Sequence, residues 1–216
     1  LVRAGVAGSA GHPDATYEQA RAGFDAGVRC VTHLFNAMRP LHHREPGLAG
    51  AALTDERVKI GLIVDGIHLH PAAVRLAWRV KGPAGVALVS DAMAALGQPP
   101  GRQRLSGREV IVAEDGSARL PDGVLAGSTL TLIQAVRNLI ACAGCSPLAA
   151  LRAASATPAE IIGLGRRMGR LAPGYEADLI LLTPDLRIAG TIVGGEVVYW
   201  APEARARPAR LTPPRR

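Results

Sequence analysis

Four apolar runs in the 216-residue chain end in side chains able to do chemistry: Gly11-His12, Thr32-His33-Leu34, Asp65-Gly66-Ile67-His68 and Ser90-Asp91-Ala92. Neutral imidazole suits Zn²⁺ and related divalent ions, and a catalytic zinc takes three protein ligands with one position left for water. His12, His33 and His68 are candidates for such ligands. A carboxylate such as Asp91, facing a water beside the ion, can take its proton during attack on a carbonyl and pass it to the departing group. The chemistry that fits this set is hydrolysis.

For these residues to meet, the runs that carry them must be neighbouring parallel strands, whose C-terminal ends share one face of a sheet. Residues 2–9, 28–32, 58–64 and 85–90 read as such strands, continuous in apolar character rather than alternating, as strands buried on both faces are. Helical spacing over 14–26, with Asp14 and Thr16 as cap candidates, and over 71–81, opened by Pro71, completes a strand-then-helix rhythm. The pattern changes near Gln98. Residues 104–112 and 117–124, joined through Glu114-Asp115-Gly116, predict a β-hairpin excursion that ends at Leu125-Ala126-Gly127-Ser128. Helices are expected over 129–143, 147–154 and 157–163, the last opened by Thr157-Pro158 with Glu160 as its capping-box partner. Strands over 178–182, 188–193 and 196–200, with Gly194-Gly195 as a hairpin turn, follow.

A closed (β/α)8 barrel takes ~250 residues, and four parallel strands cannot close one. An open apolar edge is also an aggregation hazard. With Leu1 standing directly before a strand, the expectation is the C-terminal part of a longer enzyme, poorly soluble and inactive when isolated.

Composition narrows the classes. Apolar content is 48% with 3% aromatic, no run approaches the ~18 apolar residues of a membrane span, and the three cysteines argue against a disulfide framework. Cys142 and Cys145 read as ordinary thiols. Of the net charge of +7, residues 202–216 carry +4, five arginines against Glu203. That tail lacks the aromatic residues of a nucleic-acid binder and reads as a disordered segment. A cytoplasmic protein with neither membrane nor nucleic-acid partners is expected.

The strings Gly11-His12-Pro13-Asp14-Ala15-Thr16, Thr32-His33-Leu34-Phe35-Asn36-Ala37-Met38, Arg44-Glu45-Pro46-Gly47-Leu48-Ala49-Gly50, Asp65-Gly66-Ile67-His68 and Ser90-Asp91-Ala92 resemble the N-acetylglucosamine-6-phosphate deacetylases of the amidohydrolase superfamily. Leu171-Ala172-Pro173-Gly174 and Ala177-Asp178-Leu179 are similar to the superfamily's closing β segment. The resemblance implies His12 and His33 as metal ligands, with a third, a glutamate, on an earlier strand. It implies Asp91 as the acid/base group and His68 beside the scissile acetamide, where a donor stabilises the developing oxyanion. His70 and the His42-His43 pair fall outside the pattern and read as surface residues. Asn36 and Ala37 resemble a substrate-binding pair, and Arg44 resembles the arginine that grips the sugar phosphate, serving the neighbouring subunit of a homodimer. Asp65, Gly66, Ile67 and the run Leu125, Ala126 and Gly127 complete the implied substrate contacts, Asp65 having a turn role as its alternative.

The expectation is therefore an α/β chain, the C-terminal half of a metal-dependent (β/α)8 TIM-like barrel over 1–164 with a hairpin insertion at about 99–127. The strands of a small β-sandwich domain follow over 165–201, and then the tail over 202–216. The function expected is hydrolysis of N-acetylglucosamine 6-phosphate to glucosamine 6-phosphate and acetate, with zinc ahead of iron, manganese or cobalt. Rival readings are a dihydroorotase-like or aminoacylase-like amide hydrolase, and an inactive truncated copy.

Overall fold

The computed structural model describes residues 2–205. Its centre is a four-stranded parallel sheet in the order β1 (Ser9–Ala10), β2 (Cys30–Val31), β3 (Lys59–Leu62) and β4 (Val86–Leu88). Chain order equals spatial order, so every connection is a crossover that leaves the strand ends on one side. Pairing is in register, with Cys30 opposite Ser9 and Lys59, and Ile60 opposite Val86. The expected first strand is shorter than its apolar run: Val2–Ala4 form a 3₁₀ turn, and Gly5, at φ 77°, bends the chain out of extension.

Helix α1 (Tyr17–Asp25) begins at Thr16, whose hydroxyl accepts from the Gln19 N–H while the Gln19 amide accepts from the Thr16 N–H. Two orphan donors are thereby satisfied. Asp14, the other cap candidate, pairs with Arg39 at 2.8 Å instead. Helix α2 (Gly47–Thr54) was not anticipated, because its Gly-, Ala- and Leu-rich sequence is buried from Gly47 to Leu53 and has no polar face to mark a period. Glu45 prepares its entry by accepting from the N–H groups of Tyr17 and Gly47.

Helix α3 (Pro71–Gly85) runs four residues past its expected end, with a kink. Gly82 sits at φ 62° and ψ −177° because Pro83 bars the residue before it from the α region. His70 is the N-cap of this helix, its ring accepting from the Ala72 N–H. The core beneath these helices gathers Phe24, Leu34, Leu48, Ile60, Leu62 and Val86. Each such side chain contributes about 1.5–3 kcal/mol on burial.

After β4 the chain leaves the sheet for an antiparallel excursion of β5 (Gly101–Leu105), β6 (Arg108–Val112) and β7 (Ala118–Arg119). The single strand expected over 104–112 is in fact two, divided by Ser106 and Gly107 at φ 48° and 82°. That two-residue turn with both φ positive is the tight hairpin signal, and the apolar residues on either side masked it. Val110, Val112 and Ala118 pack with Met93 and Ala95 as a small core of their own.

Helices α4 (Leu132–Ala143), α5 (Pro147–Ala154) and α6 (Ala156–Ile161) return to the main core. Thr131 and Ser146 cap the first two through their hydroxyls. The capping box expected at Thr157 and Glu160 does not form. Thr157 is fully buried inside α6 and donates to the Pro83 carbonyl at 2.8 Å, while Glu160 reaches Lys59 and Arg170. Strands β8 (Leu179–Leu182), β9 (Ile188–Val193) and β10 (Glu196–Trp200) form the last, antiparallel sheet. Pro202–Arg205 form a short helix, α7, where an unstructured tail was expected from residue 202; the rest of that tail lies outside the described residues.

Candidate active site

The four punctuations sit just beyond the C-terminal ends of β1 to β4. His12, His33, His68 and Asp91 all line one cleft of about 920 Å³. Three of them hold backbone conformations that L-residues avoid, His12 at φ 61°, His33 at 31° and Asp91 at 50°, and Phe35 and Ala37 add φ values of 74° and 49°. Such residues cost about 1–3 kcal/mol each and persist where the surroundings over-determine them. The sequence carries no mark of this feature, because none of the five is glycine.

His12 and His33 face each other through their Nε2 atoms at 3.0 Å, with the rings edge to face at 84°. That spacing is a hydrogen bond when one Nε2 carries a proton. Two nitrogens bound to one tetrahedral zinc at ~2.0–2.1 Å would stand about 3.3–3.4 Å apart, so small ring movements fit the pair to an ion. The inner nitrogen, His33 Nδ1, is buried without a hydrogen-bond partner among the described residues. A ligating histidine ordinarily donates from that nitrogen to an outer partner. Among the described residues no three His, Cys, Asp or Glu side chains cluster closely enough to hold a metal. The imidazole pair fits an ion as part of a ligand set.

His68 is positioned by Asp65. One carboxylate oxygen accepts from the N–H groups of Ile67 and His68 at 2.8 Å each, and the other lies 2.6 Å from His68 Nδ1. Both side chains are under 8% exposed. Burial pushes the Asp65 carboxyl up, but the hydrogen bonds from His68 and Ile67 together outweigh it and hold it below the usual carboxylate range. With Nδ1 tied to Asp65, Nε2 is the nitrogen left for the cleft. Asp65, Gly66 and Ile67 do not line the cleft wall; their loop acts through His68.

Asn36, Ala37, Leu125, Ala126 and Gly127 line the cleft. The Asn36 amide nitrogen donates to the His33 and Leu34 carbonyls, which fixes the loop after β2. Gly127, at φ 74°, disfavours a side chain, since the backbone is left-handed and a Cβ there would stand a tight 3.1 Å from the Asp91 carbonyl oxygen. Asp91 itself is clasped from the adjoining residue Ser128: the Ser128 N–H donates to the Asp91 carbonyl at 2.8 Å, and the Met93 N–H donates to the Ser128 carbonyl at 2.9 Å. Arg44 is not on the cleft of its own chain. It is exposed, with a guanidinium nitrogen 2.8 Å from His43 Nε2. The hairpin brings residues that sequence reasoning missed, Leu105, Ser106, Arg108, Arg119, Leu120 and Val124. Locating the Ser106-Gly107 turn would have found them.

The amidohydrolase family profile matches residues 2–198. The chain belongs to the amidohydrolase family. It is 42% identical over 197 residues to N-acetylglucosamine-6-phosphate deacetylase of Lysinibacillus sphaericus, covering 91% of this chain and 50% of that relative. It is also 42% identical over 190 residues to N-acetylgalactosamine-6-phosphate deacetylase of Escherichia coli O157:H7, covering 88% and 50%. The crystal structure of N-acetyl-D-glucosamine-6-phosphate deacetylase from Mycobacterium smegmatis superposes with a TM-score of 0.87 at 43% identity, over 92% of this chain and 53% of that one. This amidohydrolase chain thus spans about half the length of the relatives it matches.

Proposed function

We propose that this amidohydrolase chain carries the acid/base and part of the metal-binding apparatus of an enzyme that hydrolyses N-acetylglucosamine 6-phosphate to glucosamine 6-phosphate and acetate. The observation that carries the reading is the convergence of His12, His33, His68 and Asp91 on one cleft at the ends of four parallel strands. A divalent ion held by His12 and His33 with a further ligand, zinc being the best match to imidazole, would supply Lewis acidity to the acetamide and lower the pKa of the attacking water. Asp91 would take the proton from that water and return it to the amine as the C–N bond breaks. His68, held by Asp65, would direct Nε2 at the developing oxyanion. Asn36, Ala37 and the 125–127 run would position the sugar, and Arg44, turned away from its own cleft, would serve the neighbouring subunit of a homodimer.

In the same reading, residues 1–164 are half of a (β/α)8 barrel with the hairpin as an insertion, and 165–201 belong to a small β-sandwich. No described helix is long and apolar enough to cross a membrane, which is compatible with the cytoplasmic location expected of a sugar-phosphate enzyme.

The test is acetate release from N-acetylglucosamine 6-phosphate, its galactosamine epimer, N-acetylated amino acids and unphosphorylated N-acetylglucosamine, with ring opening of dihydroorotate alongside. Strong preference for a phosphorylated N-acetylhexosamine supports the proposal, and the two epimers need comparison because relatives of both kinds are 42% identical. Phosphate-independent turnover of an amino-acid amide or of dihydroorotate would reject it. A chain that binds neither Zn²⁺ nor the sugar phosphate would favour the inactive-copy reading.

A further inference from the structure

The loop that presents His68 is entered through Val64, which is 1% exposed. Among the described residues no backbone N–H reaches the Val64 carbonyl. Its donor comes from α4 instead, where the Asn138 side-chain amide donates to the Val64 oxygen at 2.7 Å. The chemistry at each end of a side-chain row fixes which way its amides point. A carbonyl only accepts, so the Asn138 atom facing Val64 is Nδ2. Arg137 only donates, so Gln134 turns Oε1 to it at 3.3 Å and offers Nε2 to Asn138 Oδ1 at 2.7 Å. Arg137 also donates to the Leu186 carbonyl, between β8 and β9, at 2.8 Å. The row therefore runs from the last sheet to the residue before Asp65. Its base is firm, since Ala135, Val136 and Leu139 of α4 are buried and Thr131 caps the helix. Asn138 and Gln134 also share with Asp65 and Ile67 a second cavity of about 400 Å³, which has no lining residue in common with the cleft.

We propose that Asn138 is the positioning residue of the His68 loop, holding it where Nε2 reaches the cleft, with Gln134 and Arg137 setting the direction of its amide. The inference rests on the reading of His68 as the donor to the oxyanion. Asp65 orders the loop internally, because every hydrogen bond it accepts among the described residues comes from Ile67 or His68. Such bonds cannot by themselves register the loop against the sheet. The Asn138 bond does so, by tying the loop's first buried carbonyl to a helix packed in the main core.

The test uses the full chain and its Asn138→Leu, Asn138→Gln, Gln134→Leu and His68→Asn variants. Asn138→Leu removes the donor and leaves the Val64 carbonyl unpartnered. Hydrogen-exchange mass spectrometry should find the Ile67 and His68 amides exchanging about 10-fold faster in that variant. Zn²⁺ affinity should not change, because His12 and His33 stand on other strand ends. Turnover of N-acetylglucosamine 6-phosphate should lose about 10-fold in kcat with KM unchanged. Asn138→Gln, which keeps a donor on a longer stem, should recover part of both effects. In a His68→Asn background Asn138→Leu should slow turnover no further, since residues that act through one another are not additive. A purely structural role would instead lower Tm and leave kcat and the loop amides as in the wild type, overturning the inference alone. Gln134 is exposed, so Gln134→Leu serves if Asn138→Leu does not fold; it should raise the same exchange by a smaller factor, and unchanged exchange would overturn the inference. A wild-type chain that releases no acetate from the sugar phosphate would reject the sugar-phosphate reading, and the exchange rates would then decide the positioning role by themselves.

Discussion

His12, His33 and Asp91 share a left-handed backbone that their side-chain chemistry does not require. The chain bends sharply at each strand end, and all three residues line the cleft there. Substitutions that test these residues should tolerate the same bend, and asparagine does so better than alanine. His12→Asn and His33→Asn are expected to lower Zn²⁺ affinity by at least about 10-fold, the scale on which even second-shell partners act, as read by competition with a chromophoric chelator. Asp91→Asn should bind the ion as the wild type does, and in the active enzyme it should slow acetate release by about 10²- to 10⁴-fold. Near-wild-type turnover in Asp91→Asn would remove it from the mechanism.

Asp65 gives a pH signature. Its carboxyl is held below the usual range in the folded chain, so its contribution to stability is present above the unfolded-state pKa of about 3.9 and is lost as pH falls through the lower folded value. Asp65→Asn keeps one oxygen for the backbone N–H groups but loses the charge that faces His68 Nδ1. Urea unfolding should find the variant less stable by about 1–3 kcal/mol at pH 7, with the gap closing in strong acid. A gap that persists at pH 2 would assign the effect to packing rather than to charge.

At the scale of elements, the strands over 28–32, 58–64 and 85–90 and the helix capped by Thr16 were legible, because continuous apolar runs and a threonine ahead of a helical period are local signals. The three strands of the last sheet were legible for the same reason, marked off by Gly194-Gly195. What was hidden depends on tertiary context. Helix α2 has no polar face to reveal it, and Thr157, which reads as a cap, is drawn into the core by the Pro83 carbonyl that the kink in α3 leaves free. Within the site, residue types and order were readable, but the dyad role of Asp65 and the cleft-facing arginines required the fold. Thr157→Val tests the element-level link. It keeps the shape and removes the donor, so Tm should fall by an amount corresponding to about 1–3 kcal/mol, with Zn²⁺ affinity unchanged because Thr157 is remote from the cleft lining.

For the whole molecule, an ion that binds the folded chain and not the unfolded one stabilises it by mass action. Zn²⁺ at 100 times its dissociation constant should add about 2.7 kcal/mol, reversed by a chelator and cut to about 1.4 kcal/mol or less in His33→Asn. Calorimetric scans at several Zn²⁺ concentrations would show it, and a Tm independent of zinc would refute binding by the imidazole pair. Orientation follows the same logic at larger scale: the four strand ends, the hairpin and the 125–127 run meet on one side of the parallel sheet.

The excursion departs beside Asp91 and comes back at Ser128, where the two passes of chain are hydrogen-bonded to each other. A segment whose ends are already joined can change length at little cost in loop closure, about 0.6 kcal/mol for each doubling, and it packs largely on its own small core. Such an excursion is an exchangeable cassette. Evolution, or an engineer, can graft a different hairpin between Met93 and Ser128 and present new groups to the cleft, while His12, His33, His68 and Asp91 stay where they are.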